Sequence, residues 1–571
     1  MIYRNKNIGL LIMGGSILLL LVSCTFSFGQ EQWEKENEGA IKDVEIEIVK
    51  ERQLTLPRAN RNFEKVPPRP FEPISPAIIY EFKNLSFTTP GHSPTVRPLR
   101  LKQEELLRLY GNSLSAGLGN YNSYFVAGSI ATKRDKNKLL GADFYWRSFG
   151  KGPVGEDMSA SSGTRIKLFG KHIGTDVTAD GDVSYQNDRT YFYGYAPGTE
   201  IDRDKIKQVY EKFGVQAGIE NTKKADFNYQ IRGAFSALKD AYVSSEEEVS
   251  LLFSGDYMID KSSSVTFLAD LFLISRKDSA FSDSRSLFRL KPAYKFILMD
   301  NLELAIGLNM AIRNDAPAGS GTINLYPNIM ARYGWADNVT LFASVTGDMD
   351  KVNLHTLSGE NLWLNSNNTL THTNRSIDLQ GGIEGRLGGK VTAKAGASFA
   401  TLKNFYFYQN VRDGLDLAGN QLGIAFDKFN VVFDNSTQRF NPFGVMSYTH
   451  EDVLGITLRA DYFNYTTNSI AGVWHRPTYL VNMQLRYNIF DKLLLQAGWI
   501  GQGGMKALDP GTNLIVSLDP AMDLNFRARY FFSKQISVFI QFDNLLSNTY
   551  PLYLSYPARG FQGLIGASWN F

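Results

Sequence analysis

The chain has 571 residues, 13% of them aromatic, with 50 glycines and a formal net charge of +3. That balance gives no reason to expect a nucleic-acid partner, which calls for a clustered positive excess. The single cysteine, Cys24, lies near the amino terminus, and its removal with a leader leaves no thiol, no disulfide and no cysteine metal site.

Residues 1–29 read as a secretion signal. Arg4 and Lys6 supply the positive start, and residues 8–22 form an apolar core broken by Gly9, Gly14, Gly15 and Ser16. The run is too short and too early for a spanning helix. Two cleavage sites compete. Leu21-Val22-Ser23-Cys24 resembles a lipobox, which makes Cys24 a lipidated first residue. Ser27-Phe28-Gly29 before Gln30 has the small residues of an ordinary cleavage site, and a lipid anchor is redundant on a chain that already spans the membrane. No later window holds about 18 uninterrupted apolar residues, so the mature chain offers no transmembrane helix.

Residues 30–108 form a polar, proline-rich arm. Pro57, Pro67, Pro68, Pro70, Pro73, Pro76, Pro90, Pro94 and Pro98 supply nearly half of the 20 prolines. Proline lacks the N–H a sheet needs, so the arm is expected to be extended and largely unpaired. Within it, Asp43, Val44, Glu45, Ile46, Glu47, Ile48 and Val49 alternate like a short strand. Residues 102–107 could make one or two helical turns.

From residue 109 to 571 the rhythm changes to alternating segments of about 10 to 15 residues, joined by short polar turns. The turns are Asp135-Lys136-Asn137, Gly174-Thr175-Asp176, Lys223-Lys224, Asp260-Lys261, Met299-Asp300-Asn301, Asp337-Asn338, Gly388-Gly389-Lys390, Glu451-Asp452, Asp491-Lys492 and Lys534-Gln535. Asp, Asn and Gly tolerate the left-handed backbone of tight hairpins. Longer loops fall between them at 150–158, 196–205, 353–374, 409–439 and 501–520. Residues 202–213 read as a short helix or strand extension in an outer loop. Residues 421–434 are placed in an outer hairpin rather than across the membrane. The layout predicts an all-β transmembrane antiparallel barrel of about 22 strands, with both ends on the periplasmic side.

The alternation holds where tested. Met522, Leu524, Phe526, Ala528 and Tyr530 oppose Asp523, Asn525, Arg527 and Arg529. Val481, Met483, Leu485 and Tyr487 oppose Asn482, Gln484, Arg486 and Asn488. Ile377, Leu379, Ile383 and Leu387 oppose Asp378, Gln380, Glu384 and Arg386. In the closing segment Phe561, Gly563, Ile565, Ala567, Trp569 and Phe571 share one face, and the terminal pair Trp569 and Phe571 reads as a barrel C-terminal signal. A soluble sandwich with one wet face per sheet is the competing reading. It needs neither the secretion signal nor the terminal aromatic.

The stretch Phe542-Asp543-Asn544-Leu545-Leu546-Ser547-Asn548-Thr549-Tyr550, with Pro557-Ala558-Arg559-Gly560-Phe561 and Gly563 after it, resembles the end of TonB-dependent receptor barrels. Gly117-Leu118-Gly119-Asn120-Tyr121-Asn122 is similar to the opening of such barrels in the branch that lacks the usual plug. The resemblance covers about residues 111–571. It implies an outer-membrane location, a boundary of lipid and solute uptake, with TonB or another periplasmic protein acting through the arm and a surface lipoprotein as a further partner. Asp43 to Val49 is similar to a TonB box; the bland reading is an acidic linker. The departure is the plug, for which residues 30–108 are too few and too rich in proline. A barrel this wide has a lumen its own side chains cannot fill. The arm, inward-folded loops such as 409–439, or another protein must occupy it.

No enzyme, cofactor or metal is expected. His92, His172, His355, His372, His450 and His475 do not pair at a metal-ligand spacing, Gly388-Gly389-Lys390 is a turn and not a phosphate loop, and no Gly-x-Ser-x-Gly elbow occurs. The remaining candidates are charges facing the lumen: Arg459, Asp461, Arg486, Asp523, Arg527 and Arg529. They form either a solvated, mutually neutralising wall or a docking strip for the acidic arm or an anionic solute. Two functions follow: solute uptake by a receptor-like barrel, narrowly preferred, and a non-transporting barrel acting as an envelope scaffold or subunit of an outer-membrane complex.

Overall fold

The computed structural model describes residues 111–571 apart from 134, 197, 316–321 and 416–420. The leader, Cys24, the proline-rich arm and the Asp43 to Val49 segment lie outside the described residues. Among the described residues, one antiparallel sheet runs from the strand Asn112–Gly119 to the strand Gln562–Asn570 and closes on itself. The closing seam pairs Ser113 with Asn570 and Gly119 with Leu564. Its 23 segments make twenty-two staves, because Asn464–Thr466 continues Leu454–Tyr462 beyond Phe463 against the same neighbour, Thr437–His450.

All ten polar turns predicted from the sequence join neighbouring staves at one end. Their chemistry explains the geometry. Gly388 and Gly389 hold φ of 58° and 74°, and Phe490 and Asp491 hold 52° and 54°. Two consecutive positive φ values match the right-handed twist of the flanking strands. Both ends of the barrel meet at this rim, where Asn112 and Phe571 exchange backbone hydrogen bonds of 3.3 and 3.0 Å.

The loop end is less uniform than expected. The connections 120–122, 240–244 and 278–281 are as tight as turns. Lys207–Asn221 is a full stave, preceded by a short 3-10 turn at Arg203–Ile206, so most of 202–213 belongs to the wall or its approach. The wall also resumes at Thr373 and at Thr437, slightly before the ends expected for the two longest loops. Phe405–Leu415 and Gln421–Asp434 pair with each other as a separate two-stranded sheet and do not join the wall. The hairpin placement of 421–434, and hence the strand count, stands.

Side chains alternate across the wall with the strand period. Leu114, Leu168, Leu251, Ile306, Leu325, Leu379, Met483 and Ile565 are exposed on the exterior. Tyr257, Tyr294, Trp335, Tyr487, Tyr530 and Trp569 add aromatics toward the short-turn rim. An apolar band with an aromatic border is the exterior of a membrane-spanning barrel. Trp569 stacks on Phe571 with ring centres 4.4 Å apart.

The seam is pinned by residues of the motif that carried the resemblance. Asn120 donates from Nδ2 to the Phe561 carbonyl at 2.8 Å and accepts from the Gly563 amide at 2.9 Å. Asn544, at φ 50°, donates to the carbonyls of Asn548 and Arg559, both at 2.8 Å. Arg559 donates to the Ser159 carbonyl and Ser161 Oγ at 3.0 Å and lies over the Phe149 ring at 4.4 Å. The motif residues tie the last stave to its neighbours.

Candidate functional site

The largest buried core is not in the wall but across the loop end. Connections far apart in sequence meet there: 192–206, 351–372, the hairpin 405–434 and 544–561. Phe192, Phe426, Phe429, Leu364 and Tyr556 are fully buried. Phe192 lies 5.4 Å from Phe426, and Trp363 stacks on Tyr556 at 4.4 Å. Backbone bonds fasten the pieces: the Phe429 amide to the Trp363 carbonyl at 3.1 Å, and the Asp427 amide to the Gly194 carbonyl at 2.8 Å. Asp427 is gripped by Arg412 through two bonds of 2.6 and 2.9 Å. Burying aromatic rings is the largest favourable term available to loops that cannot form regular sheet. Inward-folded loops were one expected occupant of the lumen, and at this end they form a cap.

The cap is held to the inner face of the wall by buried charges. The strand Ser245–Met258 points Glu246 and Glu248 inward, while Val249 and Leu251 face out. Glu246 accepts from the amides of Leu354 and His355, at 2.9 and 3.1 Å, and so sits at the first turn of the helix Leu354–Glu360. A carboxylate there satisfies orphan amides and opposes the helix dipole. Glu248 accepts from Lys351 at 2.5 Å and Asn353 at 2.7 Å. Arg285 donates to Glu246 at 3.3 Å and to the Val352 carbonyl at 2.9 Å. Arg276, almost without exposure, pairs with Asp278 and donates to the carbonyls of Ser366 and Asn368. Ions this deep in protein must be paired or they destabilise the fold.

Glu360 ends the cap helix beneath a group of rings. It accepts from Tyr406 at 2.6 Å and Tyr408 at 2.7 Å, and its backbone carbonyl accepts from Tyr553 at 3.0 Å. Burial and the nearby Glu360 carboxylate push the Tyr408 hydroxyl far above its usual range. Burial holds the His475 imidazole down to about 4. Its Nδ1 lies 2.6 Å from the Tyr408 carbonyl, and Nε2 accepts from the Leu554 amide at 3.3 Å. Those two partners define one neutral tautomer, with the proton on Nδ1. His372, held down to about 3 chiefly by burial, accepts from the Val352 amide at 3.1 Å.

Below the cap, the inner wall divides into two arcs. From Ser161 to Lys403 most cations have a carboxylate: Lys167 with Asp182, Arg232 with Asp180, Arg289 with Asp270, Lys291 with Asp348 and Lys394 with Glu384, at 3.3, 3.0, 2.6, 2.5 and 3.4 Å. The arc from Leu454 to Asp543 carries the charges singled out from sequence. Arg459 is held by Asp461 through bonds of 2.7 and 3.0 Å. Asp523 accepts from Tyr550 at 2.9 Å. Arg486, Arg527 and Arg529 have no carboxylate within ion-pair distance among the described residues. Arg527 and Arg529 instead lie over one ring, Phe539, at 4.7 and 5.6 Å.

The six lumen charges therefore share one arc without forming one cluster. Sequence reasoning missed the cap latch. Glu246-Glu247-Glu248 looks like a solvated charge run, yet its alternate members point inward on a strand, and that alternation was the available signal. Asp43 to Val49 falls outside the described residues.

No protein-family model matches the sequence, and no curated protein matches it either. Solved structures do match. The FrpB iron transporter from Neisseria meningitidis superposes with a TM-score of 0.64 at 10% identity, covering 82% of each chain. The ferric-catecholate import receptor Fiu of E. coli gives 0.61 at 10% identity, over 81% of this chain and 82% of that one. The siderophore receptor PirA from Acinetobacter baumannii gives 0.61 at 12% identity, over 81% and 80%. At such identity the likeness is one of fold: this chain has the barrel of TonB-dependent receptors.

Proposed function

We propose that this protein is an outer-membrane barrel for uptake of a solute, with the loop cap as its outer gate. The observation that carries the reading is the separation of cap and wall. The cap has its own aromatic core and is fastened by a limited set of ion pairs and backbone bonds. Beneath it the wall is polar and holds open space. A cap with its own core can move as a unit, while the wall stays closed by its ladder. The barrels it resembles in fold include an iron transporter and a ferric-catecholate import receptor, which supports uptake as the general class. Asp43 to Val49 is the segment we propose for contact with TonB or a similar periplasmic protein.

Proteoliposomes test the gate. The intact protein should hold an ion gradient, and deletion of residues 405–434 should collapse it. A large steady conductance from the intact protein would reject the gate. The buried Arg285–Glu246 latch favours a second reading, a permanently shut barrel serving as an envelope scaffold, because breaking such a pair is costly. That reading predicts no substrate-dependent opening under any load on the amino terminus.

A further inference from the structure

We infer that the inner wall between Leu454 and Asp543 carries a binding shelf for a solute with two or more oxyanion groups, carboxylate or phosphate. The inference rests on the uptake reading only in treating that anion as cargo. The register builds the shelf. Arg486 pairs across the ladder with Gln496, Gln496 with Arg527, and Arg527 with Gln541. These four inward side chains make one row perpendicular to the staves. With strands about 4.8 Å apart, the two arginine Cα atoms stand roughly 10 Å from each other. A second row, two residues nearer the cap, holds Gln484, Gly498 and Asn525.

Glycine makes the hollow. A Cβ added at Gly498 or at Gly455 would meet nothing within 4 Å, so both inward positions face open space. Around them lies a cavity of about 490 Å³ lined by Gln484, Arg486, Gln496, Asn525, Arg527 and Gln541. That size falls within the range of small-ligand sites.

The electrostatics select an anion. Asp543, the carboxylate in the cavity lining, is already held by Arg147 at 2.9 Å and by Gln541 at 2.9 and 3.1 Å. Nothing comparable offsets Arg486 or Arg527. The Nε of Arg527 is buried with no acceptor among the described residues. Its guanidinium carbon lies 4.7 Å over the Phe539 ring, a contact with the face of the ring that uses none of its N–H donors in a hydrogen bond. A planar fork of donors binds carboxylate or phosphate through paired bonds, and the amides add donors without repulsion. Most cations of the other arc have a carboxylate of the wall as partner, whereas here two arginines of one row face the same hollow without one, and a solute can supply the missing charge.

Calorimetric titration of the purified protein in detergent, with citrate and with inorganic pyrophosphate as probes, tests the inference. Saturable binding of either anion is expected, with sucrose inert. R486Q/R527Q should weaken binding by roughly tenfold or more, since charge-assisted bonds are lost. G498L, which fills the hollow and leaves both arginines, should weaken it as much. K171Q, which removes one cation already paired with Glu220, should leave it within about twofold. Heat-modifiable gel mobility verifies that each variant is folded. No saturable binding of either probe, or an equal loss in K171Q, overturns the shelf. Proteoliposome flux separates this from the uptake reading: anions that bind and never cross sink uptake and spare the shelf, while flux untouched by R486Q/R527Q and G498L, with no binding, does the reverse.

Discussion

The arc from Ser161 to Lys403 and the arc from Leu454 to Asp543 are built from the same ladder and the same alternation, yet they treat charge in opposite ways. The first spends most of its inward cations on its own carboxylates and, through Glu246, Glu248, Arg276 and Arg285, on the cap. The second leaves Arg486, Arg527 and Arg529 to amides, one phenyl ring and open space. Self-paired charge holds structure together, whereas unpaired charge over a hollow is available to something else. A barrel wall can thus be mechanical on one side and chemical on the other without any change of fold.

The sharpest way to break this contrast is Arg285→Ala. It leaves Glu246 buried against the helix Leu354–Glu360 with its main cation gone, and removing one partner of a buried pair costs about 3–5 kcal/mol. Protease cleavage within 351–372 should become rapid while the wall stays intact. An uncleaved loop would mean the latch does not hold the cap. Phe429→Ala comes next, at about 3 kcal/mol, because a fully buried ring is lost from the centre of the cap core. Hydrogen exchange should rise in 405–434 and stay unchanged in Ala521–Phe531.

Acidification is a milder probe of the same cap. His475 and His372 are held neutral, at about 4 and about 3 against an ordinary value of 6.5. Both folded values lie below the unfolded one, so the stability they contribute is full above pH 6.5 and falls as the pH drops toward 4. Each costs about 1.4 kcal/mol per pH unit within that window. Exchange in the cap should quicken from pH 6.5 downward, and His475→Gln should flatten the response. The smallest effect is predicted on the other arc. Arg529→Gln breaks no ion pair, and its stacking on Phe539 is worth about 1 kcal/mol or less. The temperature of the gel-mobility shift should barely move. A loss as large as that of Arg285→Ala would erase the distinction between the arcs.

Much of the wall was legible in the sequence because each signal was local. Tight turns need Asp, Asn or Gly at the turn itself, and Gly388-Gly389 or Asp491 carry that need within two residues. Alternation is equally local, so Met522 to Tyr530 sorted correctly against Asp523 to Arg529. The cap was not legible. Trp363 meets Tyr556 and Phe192 meets Phe426 across hundreds of residues, and no short pattern encodes such pairs. The shelf lies between these cases. Arg486 and Arg527 could be assigned to the lumen from alternation, but Gly498 looks like any strand glycine until the register sets it beside Asn525.

The seam between Asn112–Gly119 and Gln562–Asn570 carries a consequence for biogenesis. Its two partners are the first and the last staves of the wall in chain order, so no ring exists until the last stave has been made. Until then both edges offer a row of unpaired amides and carbonyls that invite pairing with other chains. Such a distant contact is reached late and slowly. Truncation of the final strand would therefore yield an open ribbon with two adhesive margins, and not a slightly narrower tube.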